Sequence, residues 1–168
     1  MKNWRERLKG KGLLLALITR KPWLIPFIYH VHVMQGATMN ELREILGLKS
    51  MVIKRALWWL TKNGIMVKAG EKYVIEQSYR KHVDELLLNT CTTGKRYVVK
   101  LGRTYFVAIV KRTRISTYTV LEKHYEELKN IDPEKASMEE VAKNKKLPVK
   151  IVSKTFDLIK TLKECRMK

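Results

Sequence analysis

Met51, Arg55, Trp58 and Lys62 follow one another at spacings of four, three and four residues, which on a helix places all of them within roughly 40° of one face. Two cations, an indole and a thioether make no nucleophile–base pair and no acid–base pair. What such a face can do is bind: the cations neutralise phosphate or carboxylate, and the flat apolar groups pack on whatever is held. The rest of the chain offers no catalytic alternative. It has no P-loop, no G-x-S-x-G, no H-E-x-x-H and no Cys-x-x-Cys, and only three Asp. Gly10-Lys11 lacks the spacing of a phosphate loop. His30 and His32 lie two apart, so on a helix they point roughly 200° from each other, and no Cys or carboxylate cluster joins them. The expectation is a binding protein, not an enzyme, with no cofactor and no metal.

The elements that must position this face are legible around it. Ile53, Leu57 and Leu60 form the opposite, inward side of a helix expected over 50–63, which Gly64 stops. Ahead of it, Thr38-Met39-Asn40-Glu41 is a capping box, in which a hydroxyl and a carboxylate satisfy each other's backbone N–H groups. Met39, Leu42 and Leu46 continue from that cap as one apolar stripe until Gly47 permits a tight turn, which Leu48 closes. After Gly64, residues 65–68, an Ala69-Gly70 turn and residues 72–75 read as a β-hairpin with lysines at its tip.

Glu41-Leu42, Gly47-Leu48, Ile53-Lys54-Arg55, Leu57, Leu60 and Gly64-Ile65 together resemble the winged helix-turn-helix DNA-binding domain of prokaryotic and archaeal transcription regulators, over roughly residues 22–76. In that superfamily the second helix of the turn lies in the major groove and the hairpin wing touches the neighbouring backbone. Carried over by position, the resemblance implies that Ser50, Met51, Lys54, Arg55 and Trp58 face DNA, and that Lys68 and Lys72 are wing contacts.

Composition agrees with a polyanionic partner. Against 16 Asp and Glu stand 35 Lys and Arg, a formal charge of +19, a self-repelling surplus best matched by nucleic acid and second by a membrane surface. The surplus is uneven. Residues 95–114 hold Lys95, Arg96, Lys100, Arg103, Lys111, Arg112 and Arg114 with no acid, whereas Glu122, Glu126, Glu127, Asp132, Glu134, Glu139 and Glu140 make residues 122–140 net negative. No run approaches the ~20 apolar residues of a membrane helix. The basic start and the apolar run Leu13–Ile18 lack a cleavage site and are followed by Arg20-Lys21, which argues against an export signal. Cys91 and Cys165 are accordingly expected as reduced thiols of a cytoplasmic protein. Many Lys and Glu with only two Gln lean towards a thermophilic source.

In chain order, residues 1–19 read as a basic amphipathic helix covering the core, weakened by Gly10 and Gly12. Trp23 to Met34 reads as a buried helix with Pro26 in its first turn. Ser78 to Asn89 is a further helix, joining the halves or pairing with its copy in a dimer. Residues 97–101 and 104–110 read as a hairpin around Gly102-Arg103 with apolar residues on both faces, so at least one strand is covered twice. Its basic residues, Arg103 among them, suit either a nucleic-acid ribbon or a guarded sheet edge. Tyr118 to Lys129 reads as a helix.

Shifted by 99 residues, Ala37–Leu42 falls on Ala136–Val141, Leu48 on Leu147, Ile53 on Val152, Leu57 on Phe156 and Leu60 on Ile159. A second helix-turn-helix is expected there, with a capping box from Ser137 to Glu140. Its turn carries Lys146 in place of Gly47, and its outward positions are Lys150, Lys154, Asp157 and Thr161, so that only the Lys150 and Lys154 end suits phosphate. The fold class is therefore α+β, mainly α, with tandem winged-helix or helix-turn-helix halves at 1–78 and 79–168, joined by a helix and a β-hairpin. The function expected is double-stranded DNA binding by a transcription regulator, through a recognition helix at 50–63 and a wing at 65–75. The alternative is an interaction module of the transcription, replication or partition machinery that touches nucleic acid loosely; exposed Trp58 favours it. A homodimer partner and a partner protein of the transcription machinery stay open, and no membrane is expected. RNA is the third choice, since no RNP strand or GXXG clamp is present.

Overall fold

The computed structural model describes residues 10–166. In order, the elements are α1 (Lys11–Arg20), a 3-10 turn at Pro22–Leu24, α2 (Ile25–Val33), β1 (Ala37–Thr38), α3 (Met39–Leu46), α4 (Ser50–Lys62), β2 (Met66–Ala69), β3 (Lys72–Ile75), a 3-10 turn at Gln77–Tyr79, α5 (Arg80–Leu88), β4 (Thr90–Thr93), β5 (Arg96–Leu101), β6 (Thr104–Val110), β7 (Ile115–Leu121), α6 (Glu122–Leu128), α7 (Met138–Lys145) and α8 (Val149–Arg166). With 56% helix and 22% strand among the described residues the fold is α+β and mainly α. The expected helix over 1–19 lies partly outside the described residues. Its described part, α1, buries Leu13, Leu14, Leu17 and Ile18. No single helix among the described residues is long and apolar enough to cross a membrane.

The Thr38 cap forms as its sequence dictates. Thr38 Oγ1 accepts from the Glu41 N–H at 3.1 Å, and Glu41 Oε1 accepts from the Thr38 N–H at 3.0 Å. That backbone hydrogen bond from Thr38 is the main cause holding the Glu41 carboxyl below its ordinary range. The helix ends on Gly47, left-handed at φ 66°, and α4 follows after two residues. Thr38 also ends β1, so the cap sits at the edge of a sheet ordered β1-β3-β2, in which Thr38 lies opposite Lys72 and Ala69 opposite Lys72 across the hairpin. The hairpin turn is therefore Gly70-Glu71, one residue later than the Ala69-Gly70 turn expected, because Gly70 supplies the positive φ at the first loop position. Ahead of β1 the backbone at Gly36 passes so close to β3 that a Cβ would stand 3.0 Å from Val74 Cγ1.

A second, four-stranded antiparallel sheet runs β4-β5-β6-β7. Its central strands are covered twice, as the hairpin's apolar alternation requires: Tyr97, Val99, Phe106, Ala108 and Val110 join the core built by α1–α5, while Val98, Tyr105 and Val107 face the core built by α6–α8. The sheet is thus a shared wall, and residue 78/79 separates no cores. Gly102 opens the β5–β6 turn with φ 60°. The helix expected over Tyr118–Lys129 is corrected at its start. Residues up to Leu121 form β7, paired along its length with β6, and only Glu122–Leu128 is helical. Thr117, Thr119 and Val120 are β-branched, and pairing with a buried strand decides their conformation.

The 99-residue offset carries over to the helix positions. Helices α7 and α8 begin 99 residues after α3 and α4, and Lys146 occupies the Gly47 position with φ 55° in the same left-handed region. Val141, Val152, Phe156 and Ile159 are buried like Leu42, Ile53, Leu57 and Leu60. The Ser137 cap is half a box: Ser137 Oγ accepts from the Glu140 N–H at 3.5 Å, but donates to Glu139 Oε2 at 3.1 Å. The outward reading of Asp157 and Thr161 is corrected. Thr161 is buried, and Asp157 accepts from Arg96 Nη2 at 3.0 Å and from the Tyr118 hydroxyl, because α8 packs this face on the sheet. The expectation of two reduced thiols is also corrected: Cys91 on β4 and Cys165 near the end of α8 are joined in a disulfide.

His30 and His32 point to different partners, as residues two apart on a helix must. His32 meets Asp84, whereas His30 Nε2 and the Tyr97 hydroxyl are hydrogen-bonded at 2.6 Å across the seam between α2 and β5. Burial first, and Lys95 second, hold the His30 imidazole below its ordinary pKa, while burial pushes Tyr97 up to about 12. The unfolded chain therefore takes up the His30 proton more readily than the folded one. Its contribution to stability is complete above about pH 6.5 and falls away as pH drops through the lowered folded value. Thermal melts at about pH 7.5 and about pH 5.5 are expected to show a midpoint that falls with acid, and the His30→Gln variant a smaller fall. An equal fall in both would show that His30 does not carry the acid sensitivity.

Candidate nucleic-acid interface

The face of α4 opposite its buried Ile53, Ala56, Leu57 and Leu60 is solvent-exposed. Met51 is 77% and Trp58 50% exposed; Lys54, Arg55 and Lys62 are also exposed, and Ser50 is half-buried beside the turn. These residues come together as the helical spacing requires. Lys62 Nζ stands 4.3 Å above the Trp58 ring, and Trp58 meets Trp59 edge-on at 4.9 Å. Trp59 is partly buried against the core and carries Lys21 Nζ 4.0 Å over its ring. The α4 face is thus a firm one, with Trp58 held between its neighbour and a lysine.

The β2–β3 hairpin follows the carboxyl end of α4. Lys68 and Lys72 are exposed on it, with Lys68 Nζ 5.7 Å over the Tyr73 ring. Glu71 is exposed in the turn between them, so the tip is less basic than its two lysines suggest.

The basic stretch 95–114 divides in two. Arg96 pairs with Asp157, and Lys100 Nζ donates to Glu122 Oε1 at 2.6 Å. That bond holds the Glu122 carboxyl below, and the Lys100 ammonium above, its ordinary range. Arg103 lies at the Lys100 end of the sheet: its carbonyl accepts from the Glu122 N–H at 2.9 Å, and it borders a cleft with Glu122, Lys123 and Glu126. It does not join the α4 face. At the opposite end of the sheet, the β6–β7 loop brings exposed Lys111, Arg112 and Arg114 to the start of α4, where the Lys49 N–H donates to the Arg112 carbonyl at 3.1 Å. Lys95 Nζ reaches the Leu46 carbonyl at 3.3 Å in the turn between α3 and α4. Lys49, Lys95, Arg112 and Arg114 are signalled in the sequence only as charge, because their meeting with α4 is made by tertiary packing.

Of the two α8 lysines expected to suit phosphate, Lys150 is exposed, and Lys154 lines a cleft with Thr119, His124 and Thr155, all from the C-terminal half. Neither is brought to α4 by that cleft. Among the described residues no group of three His, Cys, Asp or Glu is placed to hold a metal ion. In comparisons with known proteins, no protein-family model, no curated protein and no solved structure matches the chain.

Proposed function

We propose that the protein binds double-stranded DNA as a transcription regulator, with α4 as the recognition helix and the β2–β3 hairpin as its wing. The observation that carries this reading is the α4 face itself. Lys54, Arg55 and Lys62 project from a helix set by a capped α3 and a left-handed Gly47, and no carboxylate pairs with them among the described residues. Further support comes from the order β1-β3-β2, which places a hairpin directly after the second helix of the turn, the arrangement of a winged helix. In this reading the exposed cations hold phosphate, while Arg55, Lys54 and Ser50 reach base edges. The C-terminal helix-turn-helix serves as the body that carries the sheet, since its Asp157 face is packed away.

Gel shifts with duplex DNA, single strands and RNA at two salt concentrations test the reading. Preference for duplex is expected; stronger binding to single strands or RNA would end it. Substitutions separate reading from holding. Arg55→Ala and Lys54→Ala are expected to weaken a selected site more than random duplex, by about 1–3 kcal/mol for each bidentate pairing with a base edge that they remove. Lys68→Ala and Lys72→Ala are expected to weaken every sequence alike. Equal losses for all four on every sequence would reduce the mode to unspecific electrostatics.

A second reading, an assembly module with loose nucleic-acid contact, is favoured by Met51 and Trp58, whose exposure of large apolar surface suits a protein interface. It predicts that Trp58→Ala abolishes a protein–protein association and leaves DNA affinity nearly unchanged.

A further inference from the structure

Beyond the wing, α4 has a second basic neighbour that belongs to no helix-turn-helix. The β6–β7 loop is an extension of the four-stranded sheet, yet it is tied to the residue before α4 by the hydrogen bond from the Lys49 N–H to the Arg112 carbonyl. Past this tie the chain turns back, with the Lys111 N–H donating to the Arg114 carbonyl at 2.9 Å, so residues 111–114 form a short closed loop. Arg114 and Ile115 then face Met51, Val52, Arg55 and Trp23 across a cleft of about 280 Å³. Two guanidinium groups border this cleft, and no carboxylate lines it.

Charge pairing divides the basic stretch. Arg96, on the side that meets α8, and Lys100, near the β5–β6 turn, are neutralised by Asp157 and Glu122. In the β6–β7 loop, Lys111, Arg112 and Arg114 are exposed and have no carboxylate partner among the described residues, as is true of Lys49, Lys54 and Arg55 beside them. Like charges held together without counter-charge oppose folding, and an anion drawn from outside relieves that repulsion. The placement also has the right dimensions. A 13-residue helix is about 20 Å long, and a helix in a major groove about 12 Å wide has a phosphate wall on either side. The β2–β3 hairpin serves the end after Lys62, and the β6–β7 loop serves the end before Ser50.

Resting on the proposal that α4 enters duplex DNA, we infer that the β6–β7 loop is a second phosphate clamp, in which Arg112 and Arg114, across the cleft from the base-reading Arg55, hold the backbone flanking the amino-terminal half of α4. The C-terminal half of the chain thereby takes part in DNA binding through its sheet and not through its own helix-turn-helix.

The test is the salt dependence of duplex binding by the full chain. Removing one cation that neutralises a phosphate makes the slope of log affinity against log salt shallower by about 0.9, so Arg112→Ala/Arg114→Ala is expected to make it shallower by about 1.8. Arg112→Lys/Arg114→Lys keeps the charge and is expected to keep most of the slope. A control pair, Lys143→Ala/Lys145→Ala on α7, removes the same charge elsewhere and is expected to leave the slope nearly unchanged. Hydroxyl-radical footprints of the wild type and the alanine pair supply a second measurement: protection is expected to disappear on one flank of the site only. If the wild type binds duplex and the alanine pair keeps its slope and footprint, or the control pair lowers the slope equally, the clamp is overturned while the α4 reading stands. If the wild type does not bind duplex at all, the α4 reading falls and takes the clamp with it.

Discussion

Raising the salt from 50 to 200 mM is expected to weaken the protein's hold on duplex DNA by about 10³, if six phosphates are engaged. Not all 35 basic residues enter that figure, because several are paired inside the fold. Arg96 serves Asp157, Lys100 serves Glu122, and Lys95 serves the Leu46 carbonyl. Among those that remain around α4 and are not assigned to base edges are Lys49, Lys62, Arg112 and Arg114, with Lys68 and Lys72 on the hairpin, each exposed. Six such cations on phosphate give a slope near −5 in log affinity against log salt, since each releases about 0.9 of a condensed counterion. Titration of fluorescent duplex at four or five salt concentrations measures it directly. A slope near zero with retained affinity would contradict DNA binding through this surface and favour the protein-interface reading, for which Met51 and Trp58 supply uncharged contact area.

The parts of this surface that the sequence displays are those built by local spacing. A period of 3.6 residues is enough to separate Ile53, Leu57 and Leu60 from Met51, Arg55, Trp58 and Lys62, and a capping box is readable because its two partners lie three residues apart. The repeat is readable for the same reason, since its apolar positions recur at one fixed offset. Periodicity fails where an element is covered on more than one side. In α8, Asp157 and Thr161 fall on the side away from Val152 and Phe156, which on a surface helix means solvent; here the sheet covers that side, and Arg96 and Tyr118 satisfy the carboxylate. Val120, Leu121, Tyr125 and Leu128 likewise imitate a helical stripe although the first two belong to β7, because pairing with β6 outweighs local preference. The approach of Arg112 and Arg114 to α4 is more distant still. Some 60 residues separate them from Lys49, and nothing local records that the sheet returns there.

The disulfide is equally hidden, since two cysteines 74 residues apart carry no spacing signature, and it leads to the largest stability effect expected of the chain. Cys91 sits on the edge strand β4 and Cys165 in the last turn of α8, with Cα atoms 6.0 Å apart. Around the bond, weaker contacts also hold the end of α8: Thr93 Oγ1 on β4 donates to Glu164 Oε2 at 3.1 Å, and Arg166 Nη2 donates to the Tyr125 hydroxyl on α6 at 3.3 Å. A crosslink of that span removes chain entropy from the unfolded state worth about 4 kcal/mol, an upper figure that residual structure in the unfolded chain reduces. Denaturant unfolding with and without dithiothreitol is therefore expected to differ by about 2–4 kcal/mol. Cys91→Ser, Cys165→Ser and the double variant are expected to lose nearly the same amount as one another, because either substitution removes the same bond. Hydrogen exchange adds the location. On reduction the amides after Leu158 in α8 and those of β4 are expected to lose protection first, while α4, anchored in the other core, keeps its own. Two titratable thiols in the folded chain without reductant, or additive losses in the two single variants, would show that the bond does not hold α8 to the sheet.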